Sequence, residues 1–169
     1  GAYNSSMSNI VESVTVLTKD LKVINLTNRE MNFSYRESFL QHNKDYICLG
    51  ATLRLTHGNR EELENVMKDR KLKRKRTQPL EYPSAGSVFR NPDGMFAGKI
   101  IEDLNLKGYQ VGGAKISEKH ANFIINVGGA KASDIKEIID LVKVKVKEKY
   151  NINLRVEQIL VNWKDKNGK

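Results

Sequence analysis

The sequence has little cysteine and no long apolar run. Its single cysteine, Cys48, excludes a disulfide within the chain and favours a reducing, cytoplasmic location. No neighbouring residue would activate this thiol, so we expect it to pack in the interior. No stretch approaches the roughly 18 consecutive apolar residues of a membrane span, so no membrane association is expected. Three scattered histidines (His42, His57 and His120) without a second cysteine predict no metal site.

No signal-peptide pattern is present. The chain starts at Gly1 rather than at methionine, which gives this absence little weight.

The charge balance is strongly basic. The net charge is +9, with 39% hydrophobic and 29% charged residues, which predicts a globular fold and anionic partners. Lys68–Arg76 contains seven Lys or Arg and one Asp. This run could contact nucleic-acid phosphates, but no aromatic residue is interleaved with it to stack on bases. A solvated helix end is therefore the favoured interpretation, and nucleic acid is an unlikely partner.

Hydrophobic periodicity predicts most of the secondary structure. In the first part of the chain, β-branched and alternating residues indicate strands over 10–17, 23–26 and 46–55. In the third strand, alternation predicts a half-buried face, consisting of Ile47, Leu49, Ala51, Leu53 and Leu55. A helix follows, since Asn59 and Glu62 form a capping-box pattern.

A break in composition separates two predicted domains. All three prolines, Pro79, Pro83 and Pro92, lie between residues 77 and 98. We therefore predict domains at 1–78 and 79–169. The second should contain helices over 96–104 and 132–150 and strands over 123–127 and 154–161. This irregular interleaving of strands and helices predicts an α+β fold.

The segment Pro83-Ser-Ala-Gly-Ser-Val-Phe-Arg-Asn-Pro92 is a polar, glycine-containing loop. It is either a domain linker or a loop whose small residues let a ligand approach the backbone. Residue types alone favour the linker.

The motifs around this loop resemble one enzyme family. They are the loop itself, Phe96-Ala-Gly-Lys-Ile-Ile-Glu-Asp-Leu-Asn-Leu-Lys-Gly108, Gly112-Gly-Ala-Lys-Ile-Ser-Glu-Lys-His-Ala-Asn-Phe-Ile-Ile-Asn126 and Phe33-Ser-Tyr-Arg-Glu-Ser-Phe39. Together, in this order and spacing, they resemble the UDP-N-acetylenolpyruvoylglucosamine reductases (MurB). Gly1-Ala2-Tyr3 also matches the end of that family's Asn-Ala-Gly-Ala-Tyr stretch. No room exists between Ser38 and Pro83 for the extra tyrosine loop, so the shorter subclass is expected.

The resemblance implies a two-step reduction in the bacterial cytoplasm. Family members hold FAD, take a hydride from NADPH and reduce the enolpyruvyl ether of UDP-N-acetylglucosamine to UDP-N-acetylmuramate for peptidoglycan. The resemblance assigns three catalytic residues. These are Ser87 as proton donor, Arg36 as the group that steadies the substrate carboxylate, and Glu157 as a residue that assists Arg36 or the proton relay.

The resemblance also assigns binding residues. Tyr35, Asn91, Lys119 and His120 would contact the substrate, and Gly1, Ala2, Tyr3 and Arg36 would contact FAD. The family's usual Glu-Val-Arg is Glu157-Gln158-Ile159 here, so one arginine is missing. From the residues alone, Ser87 could be a turn serine, and Arg36 and Glu157 could form ordinary ion pairs with Glu37 and Arg155.

The resemblance places most of the FAD site before Gly1. We therefore expect 1–78 to be the closing part of a vanillyl-alcohol-oxidase-like FAD domain and 79–169 to be the substrate domain. Such a chain would be inactive alone, with the missing N-terminal half as a possible partner. The alternatives are a UDP-sugar or partner-binding module without catalysis and, less favoured, a nucleic-acid binder.

Overall fold

The computed structural model describes residue 1 and residues 3–163. The chain divides into two compact units, one spanning Gly1–Arg60 and one starting at Glu61. The helix Arg60–Thr77 lies between this division and the domain boundary that composition places at 78/79. Each unit is described by itself below.

The first unit is built on a three-stranded antiparallel sheet. Its strands are β1 (Val11–Leu17), β2 (Val23–Thr27) and β3 (Ile47–Leu53), in the order β2-β1-β3. A 3₁₀ turn (Met7–Asn9) and the short helix α1 (Phe39–His42) complete it. The core is centred on β1 and consists of Val11, Val14, Val16, Leu26 and Met31. All three predicted strands are confirmed as strands.

The predicted burial of β3 is wrong. All seven of its residues are exposed, including Ile47 at 59% and Leu49 at 53%. The pairing of β1 with β3 shifts register between Thr15 and Val16 and again between Val11 and Ser13, so strict alternation does not hold along β3. Cys48 is also exposed, so the expectation that it packs in the interior is wrong.

The basic run lies in helix α2 (Arg60–Thr77), none of whose residues is buried. Glu61 and Glu62 occupy its first turn and Arg74, Lys75 and Arg76 its last. This distribution stabilises the helix, because negative charge is favourable at a helix N-terminus and positive charge at its C-terminus. The predicted helix with a solvated basic end is confirmed.

The second unit combines an antiparallel sheet with two packed helices. Its strands are β4 (Ser84–Ser87), β5 (Gln110–Val111), β6 (Ala114–Ile116) and β7 (Phe123–Asn126), in the order β4-β7-β6-β5. The helices are α3 (Ala97–Asp103) and α4 (Ala132–Tyr150). The predicted apolar stripe of α4 is confirmed, with Ile138, Ile139, Val142 and Val146 buried and Ile135 packed at the edge of the core. Among the described residues, no helix is long and apolar enough to cross a membrane.

The turn between β5 and β6 is locked to the start of α4. Gly113 donates its N–H to Asp134 Oδ2 at 3.3 Å, and Lys131 N–H donates to the same oxygen at 3.0 Å. A Cβ at Gly113 would lie 2.2 Å from the Gly128 carbonyl oxygen and 2.3 Å from Ala130 N. Only glycine fits there. The backbone hydrogen bond from Lys131 is the main cause that lowers the pKa of Asp134.

The predicted strand over 154–161 is wrong. Only one isolated bridge forms, between Phe89 and Val156. It is flanked by hydrogen bonds from Arg90 N to the Arg155 carbonyl (2.9 Å) and from Glu157 N to the Val88 carbonyl (2.8 Å). Just past Phe89 the opposite segment enters the loop before α3, so it offers no long partner for strand pairing.

Candidate functional site

A buried asparagine fixes the backbone that follows Ser87. The Asn122 side chain donates Nδ2–H to the Phe89 carbonyl at 2.8 Å and accepts from Phe89 N–H at 2.9 Å. Val88 N–H donates to the Asn122 carbonyl at 2.9 Å. Three hydrogen bonds therefore tie the residues after Ser87 to the start of β7. Sequence reasoning missed Asn122, although it lies in the recognised Gly112–Asn126 motif.

A cavity of ≈ 350 Å³ lies beside this loop, large enough for a small ligand. Four residues predicted from the resemblance, Ser87, Asn91, Lys119 and His120, all line it. Ser87 ends β4, whereas Lys119 and His120 precede β7. Antiparallel pairing of β4 with β7 brings these distant stretches together.

Three lysines give the cavity a positive lining. Lys99 and Lys107 join Lys119 there, together with one acid, Glu102. Each lysine also pairs with a carboxylate: Lys99 with Asp103 at 2.8 Å, Lys107 with Glu102 at 2.7 Å and Lys119 with Glu81 at 3.2 Å. The hydrogen bond to Asp103 raises the pKa of Lys99, and the hydrogen bond from Lys107 lowers the pKa of Glu102. Sequence reasoning missed Lys99 and Lys107, since nothing local distinguishes them among 29 Lys and Arg residues.

Local hydrogen bonds hold the cavity walls. The Asn91 side-chain oxygen accepts from Ala97 N–H at 3.1 Å, at the start of α3. On the other side, Ser117 Oγ accepts from the N–H groups of Lys119 (3.1 Å) and His120 (3.3 Å). Ser117 is 1% exposed and was also missed. A buried hydroxyl that accepts two backbone donors fixes the turn that carries both side chains.

His120 is half-buried in this wall. Its Nδ1 accepts from Asn122 N–H at 3.2 Å, and its ring meets that of Phe123 edge-on at 4.8 Å. Burial, reinforced by the nearby Lys107 charge, lowers the pKa of His120. The imidazole is therefore neutral at neutral pH.

Glu157 lies opposite the residue after Ser87, because its N–H donates to the Val88 carbonyl. Its carboxylate is 3.9 Å from Arg90 Nε. Ile159, at the position where the resemblance predicts an arginine, is 87% exposed. Arg90 therefore places a guanidinium near Glu157 from the neighbouring segment of backbone.

The remaining predicted residues belong to the first unit. Ser34 and Glu37 exchange backbone hydrogen bonds of 3.0 and 3.2 Å, which makes Tyr35 and Arg36 a tight two-residue turn. Arg36 has a φ of 62°, which is uncommon for a residue other than glycine. Its guanidinium donates to the Gly1 carbonyl at 3.3 Å and lies 5.1 Å from the Tyr35 ring centroid.

The other predicted cofactor residues and the possible ion partner of Arg36 also lie in this unit. Tyr3 has a φ of 54°, and Ala2 lies outside the described residues. Glu37, considered as an ion partner of Arg36, lies 3.1 Å from His42 Nε2.

The second unit is an α+β domain with a cavity suited to an anionic, hydrogen-bonding small molecule. Lysines, amides, a hydroxyl and a neutral imidazole line it, and these groups recognise phosphates and sugars well. Among the described residues, no group of three His, Cys, Asp or Glu side chains could hold a metal ion.

Comparisons with known proteins give this domain a family. Residues 78–161 match the family described as UDP-N-acetylenolpyruvoylglucosamine reductase, C-terminal domain. The chain is 49% identical to the UDP-N-acetylenolpyruvoylglucosamine reductase of Anoxybacillus flavithermus over 97% of its length, covering 54% of that protein. It is 43% identical to the reductase of Bacillus licheniformis over 97% of its length, covering 89% of that sequence.

A solved structure supports the same family. The crystal structure of UDP-N-acetylenolpyruvylglucosamine reductase (MurB) from Thermus caldophilus matches with a TM-score of 0.81 at 34% identity, over 94% of this chain and 56% of that one. The chain belongs to the UDP-N-acetylenolpyruvoylglucosamine reductase family. It spans about half the length of most of the curated relatives it matches.

Proposed function

We propose that this chain is the substrate-binding portion of a bacterial cytoplasmic reductase that converts UDP-N-acetylglucosamine enolpyruvate to UDP-N-acetylmuramate for peptidoglycan synthesis. The observation that supports this most directly is the joint lining of one cavity by Ser87, Asn91, Lys119 and His120. In this proposal, 79–169 is the substrate domain, 1–78 is the closing part of an FAD-binding domain, and the enzyme is of the shorter subclass.

The cavity would hold the uridine diphosphate portion of the substrate. Lys99, Lys107 and Lys119 offer positive charge to the diphosphate, whose own charge competes with the carboxylates that now pair with them. Asn91 accepts a hydrogen bond through its side-chain oxygen at the start of α3, and its amide N–H₂ has the donor chemistry that suits a phosphate oxygen.

The resemblance assigns three residues to the reacting end of the substrate. Ser87 donates a proton to the carbanion that remains after hydride addition; a hydroxyl can do so only because an enolate is strongly basic. Arg36 grips the substrate carboxylate as negative charge develops, since a guanidinium can bind two oxygens at once. Glu157, close to Arg90, assists the proton relay.

FAD, when bound, supplies the hydride that originates from NADPH. The residues of this chain assigned to it are Gly1, Ala2, Tyr3 and Arg36. The guanidinium of Arg36 and the Gly1 carbonyl are in contact, which fits a polar edge of a cofactor site. These four residues are too few to hold a dinucleotide. In this proposal, further protein supplies the rest of the flavin site.

The exposed face of β3 supports such a partner. Ile47, Leu49 and Leu53 of this one strand are 59%, 53% and 43% exposed, and neighbouring exposed apolar side chains of this kind mark an interaction surface. We propose that the portion of the reductase not spanned here packs against this face and completes the flavin site.

Titration with UDP tests the substrate site directly. We expect saturable binding of UDP to the chain by calorimetry, weakened roughly tenfold by Asn91→Asp because the added charge repels the diphosphate. The aspartate keeps the acceptor for Ala97 N–H, so α3 should remain in place. Asn153→Asp, which adds the same charge at an exposed position, is the matched control. Absence of UDP binding, or equal losses in both variants, would contradict the proposal.

The alternative is a UDP-sugar-binding module without catalysis. Adding the remaining portion of the reductase in trans separates the two. The visible flavin band after incubation with FAD and desalting, together with NADPH oxidation that depends on the enolpyruvyl substrate, is expected for an enzyme and not for a binding module.

A further inference from the structure

Two opposite charges meet beside the bridge between Phe89 and Val156. Phe89 is buried in the core of the second unit, and Val156 packs against that core. Next to this pair, the Arg90 Nε lies 3.9 Å from the Glu157 Oε2. This distance is too long for a hydrogen bond and lies within the range of an ion pair. The guanidinium and the carboxylate therefore interact here through their charges.

The backbone fixes where both side chains start. Arg90 donates its N–H to the Arg155 carbonyl at 2.9 Å, and Glu157 donates its N–H to the Val88 carbonyl at 2.8 Å. These two hydrogen bonds flank the bridge at Phe89. Neither segment can slide along the other without breaking them, so the approach of the guanidinium to the carboxylate is built into the fold.

The ion pair is partly withdrawn from water. Only 18% of the Arg90 side chain and 30% of the Glu157 side chain are exposed. Partial burial reduces screening by salt, so the attraction is stronger than between two fully exposed charges. Arg155, which also belongs to this contact between the two segments, is exposed. Arg90 is thus the better placed of the two arginines to hold the carboxylate.

Arg90 lies in the loop that carries the reacting serine. Ser87 and Asn91, on either side of it in the sequence, line the cavity, whereas the Arg90 guanidinium lies beside Glu157. Ile159, two residues after Glu157, is apolar and 87% exposed, so it offers the carboxylate no charge. This arrangement lets Arg90 act on the reaction through Glu157 rather than by contact with the substrate.

We propose that Arg90 is a positioning residue that holds the Glu157 carboxylate in place for the proton-transfer step at Ser87, and that it supplies the positive charge that Ile159 lacks. This inference rests on the proposed function, because it assumes that Glu157 takes part in that step. It adds which side chain orients Glu157. It also requires that Arg90 loses its effect on the reaction once the carboxylate is removed.

The ion pair can be tested on the chain without any ligand. Urea denaturation gives the equilibrium constant for unfolding of Arg90→Met, Glu157→Gln and the double variant. We expect the effect of the double change to differ from the product of the two single effects by roughly threefold, because either change alone already removes the pair. Independent effects would overturn the inference and leave the proposed function intact.

The kinetic test uses the reductase reassembled with its remaining portion. Arg90→Met should slow flavin reoxidation by saturating enolpyruvyl substrate roughly tenfold or more, because a displaced carboxylate is misaligned with the reacting atoms. Flavin reduction by NADPH and the affinity of the chain for UDP should be unchanged, since neither requires Glu157. Unchanged reoxidation, or equal slowing of both half-reactions, would overturn the inference.

Two further variants separate the charge of Arg90 from its packing and from its neighbour. Arg90→Lys keeps the positive charge and should reoxidise the flavin within about fivefold of the native rate, because a charge contact at 3.9 Å does not need the two-point grip of a guanidinium. Arg155→Met removes the exposed guanidinium and should change the rate by less than about twofold. A lysine variant as slow as Arg90→Met, or a larger loss in Arg155→Met, would contradict the proposal.

The decisive comparison is made in Glu157→Gln. Adding Arg90→Met to this variant should slow reoxidation by less than about twofold more, because residues that act as a unit are not additive. A further loss of about tenfold would show that Arg90 acts independently of Glu157 and would overturn the inference. If the native reassembled protein does not reoxidise its flavin with the enolpyruvyl substrate, the proposed function fails and this inference fails with it.

Discussion

Glu157 and Val88 are joined by a backbone hydrogen bond of 2.8 Å from the Glu157 N–H to the Val88 carbonyl. This contact sets the carboxylate-bearing residue opposite the neighbour of Ser87, although the two are sixty-nine positions apart in the chain. The two residues assigned to the proton relay in this unit are therefore held by the same short stretch of backbone pairing.

Replacing Ser87 by alanine should affect one half-reaction only. In the reductase reassembled with its remaining portion, Ser87→Ala should leave flavin reduction by NADPH unchanged and slow flavin reoxidation by the enolpyruvyl substrate roughly 100-fold or more. Only the second step needs the hydroxyl proton. Stopped-flow absorbance of the flavin measures both steps, and equal slowing of the two would contradict this role.

Asn122→Ala should destabilise the second unit by about 2 kcal/mol or more. The change leaves both the N–H and the carbonyl of the buried Phe89 without their side-chain partner, and an unsatisfied buried backbone group is costly. Urea denaturation measures the loss. Asn153→Ala, at an exposed position, should change the free energy of unfolding by less than about 0.5 kcal/mol. Similar values for both would show that the contacts to Phe89 contribute little.

Gly113→Ala should destabilise the fold by ~3 kcal/mol or more. The new Cβ would meet backbone atoms of Gly128 and Ala130 at 2.2 and 2.3 Å, and backbone cannot move aside as a flexible side chain can. Loss of soluble protein or a large drop in Tm is expected. Gly50→Ala should leave the Tm nearly unchanged, and a comparable drop there would point to a general cost of removing glycine.

Stability should fall as the pH drops below 6.5, the ordinary pKa of histidine. The pKa of His120 is lowered in the folded state, so as the pH falls the unfolded chain binds a proton at this histidine first. Proton binding stabilises the unfolded chain relative to the folded one. The contribution of the neutral His120 to the free energy of unfolding is fully present above pH 6.5. It is lost progressively as the pH falls from there to the lowered pKa of the folded state. Urea denaturation between pH 7.5 and 5.5 measures the slope, which His120→Gln should reduce. An unchanged slope in that variant would assign the effect to other groups.

Hydrophobic periodicity in the sequence is sufficient to predict those helices and strands that are specified by local sequence. The helix over 132–150 was predicted with the bounds it has, because a stripe at helical spacing marks both the helix and the face it buries. For β3, the same kind of pattern identified the strand and wrongly predicted its burial. Alternation predicts a shared face only while the strand pairing keeps its register, and the β1–β3 pairing shifts register twice.

Some features of the candidate site can likewise be predicted from the sequence, and others depend on tertiary contacts. The family resemblance and the residue types of the Ser87 and His120 motifs can be identified from sequence, because these are properties of short stretches of chain. The folded chain is needed to see that Ser87 and His120 line one cavity with Lys99 and Lys107, and that Asn122 hydrogen-bonds both the loop after Ser87 and the His120 ring. The pairing of β4 with β7 creates these contacts between segments more than thirty residues apart, and no local spacing rule predicts which side chains such pairing brings together.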